Sequence, residues 1–292
     1  MPELPEVETI RRQLEPAIVG RRIEAARVLD ARWSRPEPPR ELEAEIKDRR
    51  IESVGRRGKY LILDLEGDLH LVMHLRMTGN LLLSDSERFG APRPYESEPD
   101  ARFLRAAFDL DDGTELWFTD ARRFGHGVVL PGDQLASYLE ARLGIEPLGG
   151  ELTAEGLLRL AAGRRLPLKS FLLDQRHIAG IGNIYADEAL YRAELHPLSP
   201  AGSMRADHSE ALVDGIVEAL EAGLANGGSS IDDYRDARGE RGSMQDEFLV
   251  HTREGRECGR CGGEIRRIVV GGRSTYFCPG CQVRLRRRRR RR

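Results

Sequence analysis

Lysine is almost missing from this chain. Of 46 basic residues in 292, only Lys47, Lys59 and Lys169 are lysine. Arginine supplies the ordinary surface cation, so each lysine stands out as a site for chemistry specific to a primary amine. Such a group shifts its pKa and exchanges protons, whereas a guanidinium stays charged. At least one of the three is still expected to be plain surface. Cysteine is absent from the first 257 residues; all four lie in the last 35. No apolar run approaches the ~20 residues that would span a bilayer. The opening Met1-Pro-Glu-Leu-Pro-Glu6 has neither the basic nor the apolar region of a signal peptide. A soluble, cytoplasmic protein with no membrane partner is expected. With 40% hydrophobic and 32% charged residues, the chain can build packed cores and is not disordered throughout. Its length suits two domains with room for a small third.

The net charge of −2 conceals an asymmetry. From Cys258 onward twelve arginines face one acid, Glu264, giving +11 and leaving −13 on the rest. A basic end on an acidic body points to a polyanionic partner engaged by part of the molecule. For Arg286–Arg292 alone, a solvated tail is the competing reading.

Residues 6–20 have helical spacing, with Val7, Ile10, Leu14 and Ile18 on one face and Gly20 as a stop. From Ile23 to about Leu130, short alternating runs at 60–65, 70–75, 103–110 and 115–119 predict strands, separated by turn signals such as Asp111-Asp112-Gly113. Pro92, Pro94 and Pro99 mark a loop. This stretch reads as a β-sandwich or barrel led by a helix. Helices are predicted at 135–143, 153–162, 166–174, 184–193 and 209–224, with Ser209 as an N-cap. Residues 229–257 are polar and glycine-punctuated, as in a mobile loop.

Three constellations could carry chemistry. Cys258-x-x-Cys261 and Cys278-x-x-Cys281, sixteen residues apart, form two knuckles that suit tetrahedral zinc; disulfides are the alternative, opposed by a reducing compartment. Runs at 265–270 and 274–277 around Gly271-Gly272 predict a hairpin bearing Arg266, Arg267 and Arg273. Gly180-Ile-Gly182-Asn183 precedes a helix, where exposed N–H groups attract phosphate; an ordinary helix–helix turn fits too. Removal of Met1 would expose Pro2 as a secondary amine beside the carboxylates Glu3 and Glu6, although Pro-Glu is also good helix-start chemistry.

Pro2-Glu-Leu-Pro-Glu-Val-Glu8, Arg57-Gly-Lys59-Tyr60, His74-Leu-Arg-Met77, Thr119-Asp-Ala-Arg-Arg-Phe-Gly125, Gly180-Ile-Gly-Asn-Ile-Tyr185 and Gly272-Arg-Ser-Thr-Tyr-Phe-Cys278 run in order along the chain. Together they resemble bacterial formamidopyrimidine-DNA glycosylase over all but the arginine tail. The resemblance implies an α+β multidomain fold: an N-terminal β-sandwich with a leading helix (2–133), a helix–two-turn–helix domain (134–228), a lesion-covering loop (229–257), a zinc-ribbon β-hairpin (258–285) and the tail (286–292). It implies a monomer that excises oxidised purines from duplex DNA and cleaves the strand by β,δ-elimination.

Carried over by motif, Pro2 is the Schiff-base nucleophile, Glu3 a proton donor and Glu6 a supporting acid. Lys59 and Arg273 are the proton donors associated with β- and δ-elimination. The resemblance makes Met77, Arg122 and Phe124 the wedge that replaces a flipped base, although Met77 and Phe124 read from sequence alone as core. His74, Arg164, Lys169 and Asn183 become further DNA contacts, with helix capping the alternative for Lys169. Cys258, Cys261, Cys278 and Cys281 hold one structural Zn2+.

The chain also departs from the pattern. Arg102-Phe-Leu-Arg-Ala106 lacks the family's histidines, 238–245 lacks an aromatic after its second glycine, and His251-Thr-Arg253 replaces Tyr-Gly-Arg. Two rivals remain. One is the endonuclease VIII branch, which prefers oxidised pyrimidines; the other is a non-catalytic zinc-ribbon protein that only binds damaged DNA.

Overall fold

A computed structural model describes residues 2–84, 102–231 and 233–286. The expected proline loop at 92–99 and the tail beyond Arg286 lie outside the described residues. The chain forms two compact units, Met1–Ala141 with Gly223–Gln245, and Arg142–Ala222 with Asp246–Arg292.

The first unit starts with α1 (Leu4–Ile18). Its first turn is closed by a reciprocal capping box: the Glu3 carboxylate accepts the Glu6 N–H, and the Glu6 carboxylate accepts the Glu3 N–H at 2.8 Å. Pro5 sits in that turn, where a missing N–H costs nothing. The apolar stripe Val7, Ile10, Leu14 and Ile18 is fully buried against two antiparallel sheets.

The strands are β1 (Ile23–Val28), β2 (Ile51–Arg57), β3 (Tyr60–Leu65), β4 (Leu69–His74), β5 (Gly79–Leu83), β6 (Leu104–Leu110), β7 (Glu115–Asp120) and β8 (His126–Pro131). One sheet has the order β1-β6-β7-β5 and the other β2-β3-β4-β8, so the expected sandwich is present. Trp33 lies in the shared core, edge-on to Phe118 with ring centroids 5.4 Å apart. A short helix, α2 (Pro39–Ile46), interrupts the strand run, and α3 (Gly132–Glu140) ends it. The sequence reading missed α2: only Leu42 and Ile46 on it are buried, too short a stripe to register as periodicity.

The second unit holds α4 (Ala154–Ala161), α5 (Leu168–Leu173), α6 (Asn183–Arg192), most of α7 (Ala206–Ala225), and the hairpin β9 (Arg266–Val270) and β10 (Arg273–Phe277). Gly271 and Gly272 turn the hairpin with φ of 57° and 75°, the left-handed pair such a two-residue turn needs. Ser209 is not the N-cap of α7. The helix starts at Ala206, and the Ser209 hydroxyl instead donates to the Ala154 carbonyl at 2.7 Å.

Residues 229–257, read as one mobile loop, divide between the two units and bury Tyr234, Ala237, Met244, Phe248 and Val250. Few of these apolar residues recur at a regular spacing, so composition alone reads as a loop.

Gly127 on β8 has no room for a side chain: a Cβ there would stand 2.2 Å from Cη2 of buried Trp33. We predict that Gly127→Ala destabilises the fold by about 1–3 kcal/mol, the usual cost of overpacking. A lowered urea midpoint with an unchanged slope would show it.

Candidate functional site

The two units carry separate parts of the sequence-predicted site. In the first, Pro2 is buried at the entry to α1, followed by Glu3 and Glu6, 2% and 1% exposed. Glu6 does more than cap the helix: one oxygen accepts the Glu3 N–H, and the other accepts the Ser229 N–H at 2.7 Å. Gly228 must be glycine, with φ +82° and Glu6 Oε1 2.9 Å from where a Cβ would lie. The Tyr234 hydroxyl adds a 3.3 Å bond to the Glu6 carbonyl. A segment more than 220 residues away thus fixes the N-terminus.

Lys59 is 5% exposed, on the two-residue turn between the paired residues Arg57 and Tyr60. Arg56 ties this turn to α1, donating to the Gly58 carbonyl and pairing with Glu8, both at 2.9 Å. Buried Glu8 has its pKa lowered: its bonds to Arg56 and Arg12 outweigh burial, the largest single influence, which acts in the opposite direction. The sequence reading missed Glu8 and Arg56, because an ion pair 48 residues apart leaves no local pattern.

His74 is buried, and its Nδ1 accepts the Arg76 N–H at 2.9 Å. Burial, with the nearby cations Arg76 and Lys59 and the ring of His126, holds it well below the usual histidine range. A neutral ring whose Nδ1 accepts must carry its proton on Nε2, so His74 is a donor across the physiological pH range.

Met77 is half-buried, while Arg122 and Phe124 are exposed, Phe124 at 54%. Exposure excludes the core reading for Phe124. The Arg122 guanidinium lies over its ring, 4.9 Å from the centroid. Two turns meet here, and the 1%-exposed carboxylate of Asp120 joins them. It accepts the N–H groups of Arg122 (3.0 Å), Phe124 (2.8 Å) and Gly125 (2.6 Å), and the hydroxyl of Thr78, the residue after Met77. Arg76 and Arg123 have φ of 56° and 61°, a costly conformation for non-glycine residues and one that such bonding holds in place. Arg123 is further anchored to Asp30 at 2.5 Å. Where the family's histidines are missing, Arg105 donates to the Asp120 carbonyl at 2.8 Å.

In the second unit, Gly180 (φ +85°) and Gly182 lead into α6, and Gln175 brackets the turn through the Gly180 N–H and the Ile181 carbonyl. Asn183 is half-buried, with its amide donating to the Ser274 carbonyl at 3.1 Å. Arg164, Arg266, Arg267 and Arg273 are exposed. Lys169 is not. Its side chain is 0% exposed, 2.7 Å from Asp187, which corrects the expectation of a surface DNA contact.

The four cysteine Sγ atoms all lie within 4.8 Å of one another, with Cys258–Cys281 at 3.7 Å and Cys261–Cys278 at 3.5 Å. These separations are far longer than the ~2.05 Å of a disulfide. They match the ~3.8 Å edge of a tetrahedron with Zn–S bonds of ~2.3 Å, so the site fits one structural zinc. The Tyr191 hydroxyl lies 3.2 Å from Cys258 Sγ, and burial pushes the phenol's pKa well up.

Residues 1–127 match the family model for the formamidopyrimidine-DNA glycosylase N-terminal domain. Residues 143–235 match the H2TH domain of the same family, and 255–283 the zinc finger found in FPG and IleRS. A formamidopyrimidine-DNA glycosylase of Chloroflexus aurantiacus is 45% identical over 283 residues, 97% of this chain and 98% of that protein. A variant of Lactococcus lactis FPG bound to Fapy-dG-containing DNA superposes with a TM-score of 0.86 at 35% identity, covering 96% of this chain and 99% of that one. The Lactococcus lactis Fpg complex with abasic-site DNA gives 0.86 at 34%, covering 97% and 100%.

Two predictions follow from this geometry. Cys278→Ser should abolish stoichiometric zinc, read by metal analysis, and weaken binding to duplex DNA, because the hairpin depends on the metal. In Asp120→Asn the new amide would turn an N–H2 toward main-chain donors, losing about 1.5–3 kcal/mol of ordering at the two turns. Lesion excision should then fall roughly 10–100-fold, while urea unfolding changes far less; unchanged excision would remove Asp120 from the presentation of Arg122 and Phe124.

Proposed function

From the premise that this chain belongs to the formamidopyrimidine-DNA glycosylase family, we infer that it acts in base-excision repair on duplex DNA. It removes oxidised purines such as 8-oxoguanine and formamidopyrimidines, then cleaves the strand at the abasic site. The observation that carries this reading is the N-terminal cap, where buried Pro2 and buried Glu3 share one helix entry locked by Glu6.

Loss of Met1 leaves Pro2 with a secondary α-amine, which in its neutral form is a nucleophile. Its lone pair attacks the sugar C1′, the bond from C1′ to the base breaks, and the base leaves with a proton from Glu3. The amine sheds its own proton, and its lone pair then expels O4′: the C1′–O4′ bond breaks, O4′ takes up a proton, and C1′ and nitrogen are left as an iminium. Loss of a C2′ proton sends electrons toward the iminium and expels the 3′ phosphate; a second elimination expels the 5′ phosphate. Lys59 and Arg273 are assigned as proton donors for these two steps. Lys59 suits that role as a nearly enclosed amine on a turn fixed to the same helix.

Chemistry on a base requires taking it out of the stack. Exposed Phe124 and half-buried Met77 are assigned to fill the gap, and Arg122 to meet the orphaned partner base. The His74 Nε2–H, Arg164 and Asn183 are assigned to phosphates. The sandwich (2–133) then carries catalysis, 134–228 grips DNA, 229–257 covers the lesion, and 258–285 is the zinc hairpin. Cytoplasmic location and a monomeric state belong to the same proposal. No helix among the described residues is long and apolar enough to cross a membrane.

Borohydride trapping on a duplex with 8-oxoguanine opposite cytosine should attach DNA to Pro2, read by mass spectrometry. Glu3→Gln should bind the lesion but excise it about 10²–10⁴-fold more slowly. A zinc-loaded protein lacking Met1 that traps neither this duplex nor an abasic control would point to the binding-only rival. Preference for thymine glycol would point to the endonuclease VIII branch.

A further inference from the structure

Lys169 is a lysine in an arginine-rich chain, and its side chain is fully enclosed. Its ammonium lies 2.7 Å from Asp187 Oδ1 and donates to the Ser274 carbonyl at 2.8 Å. Asn183 donates to the same carbonyl. The other Asp187 oxygen accepts the Tyr276 N–H at 3.2 Å and sits 2.9 Å from His251 Nδ1.

These contacts share a geometry. Among the described residues the hairpin β9–β10 is a two-stranded sheet, so β10 pairs with β9 along one edge. In an extended strand the backbone groups of residues i and i+2 point the same way. Ser274 and Tyr276 therefore present a carbonyl and an N–H on one edge, and side chains from α5 and α6 meet both. Donors from Lys169 and Asn183 face the carbonyl, and the Asp187 carboxylate faces the N–H. Together they replace the third strand that would otherwise satisfy an edge. A lone two-stranded hairpin is marginal in water, so this edge fixes where β10 runs. Arg273 is the residue immediately before the clamped carbonyl.

The geometry points to Lys169 and Asp187 as positioning residues: a buried ion pair that holds the outer edge of β10 and thereby sets Arg273 for the second elimination. This rests on the reading of Arg273 given above. It also explains why lysine stands here. The ammonium is a compact point donor that reaches a carboxylate and a carbonyl from one atom, whereas a planar guanidinium needs more room.

Removing one partner would strand a buried charge and could unfold the unit, so the test uses the charge-free pair Lys169→Met/Asp187→Asn. It is made in the full-length, zinc-loaded protein, with zinc content measured alongside. Two readouts are taken: hydrogen exchange at the Tyr276 amide, and the ratio of δ- to β-elimination products on an abasic-site duplex. The expected result is at least tenfold faster exchange at Tyr276, a δ/β ratio at least tenfold lower, full zinc, and borohydride trapping at Pro2 retained. Unchanged exchange would overturn the clamp. Faster exchange with an unchanged ratio would overturn its role in positioning Arg273. Arg273→Ala run in parallel separates the two readings: if that variant keeps the normal ratio, the assignment of Arg273 falls, while the exchange result still decides the clamp.

Discussion

Buried carboxylates that accept main-chain N–H groups hold the functional parts of this protein in place. Glu6 accepts from Glu3 and Ser229, Asp120 from Arg122, Phe124 and Gly125, Asp236 from Arg238 and Glu240, and Glu188 from Leu249, Val250 and His251. An ionised acceptor forms stronger bonds than a neutral one, and a carboxylate has two oxygens to share. Each can therefore gather several amides that no helix or sheet would satisfy. Irregular backbone can then be buried and fixed without regular secondary structure.

This gives a physical account of the acidic body. A net −13 over the first 257 residues looks unsuited to a protein that binds a polyanion. Yet Glu6, Glu8, Asp30, Asp120, Asp187, Glu188 and Asp236 are all buried, committed to amides or to internal arginine and lysine partners. Their charge works inside the fold, while Arg122, Arg164, Arg266, Arg267 and Arg273 are exposed. The count of charges and the charge offered to a partner are different quantities.

Much of the fold was legible because it is written in short-range pattern. The stripe of α1, the alternating strands, the two glycines of the hairpin and the paired cysteine knuckles each report a local geometry. The lysine count singled out three positions, of which Lys59 and Lys169 are buried and Lys47 is plain surface. Its weakness was in assigning roles. An enclosed lysine that grips a carbonyl and an exposed lysine on a phosphate look alike in sequence, and only burial separates them. Phe124 shows the reverse case, an aromatic that composition places in a core and that stands exposed on a turn.

The sequence by itself determined the residue types on which the proposed chemistry rests: a proline behind Met1, acids beside it, a rare amine at Lys59 and four thiols spaced for one metal. Their order along the chain was enough to identify the family, because family motifs are defined by residue identity and spacing. Only the tertiary structure decided how those groups are held. The Glu6–Ser229, Arg56–Glu8, Thr78–Asp120 and Lys169–Asp187 contacts join residues between 18 and 223 positions apart. Such contacts form only when folding closes the intervening chain, and they leave no periodicity for a one-dimensional reading to find.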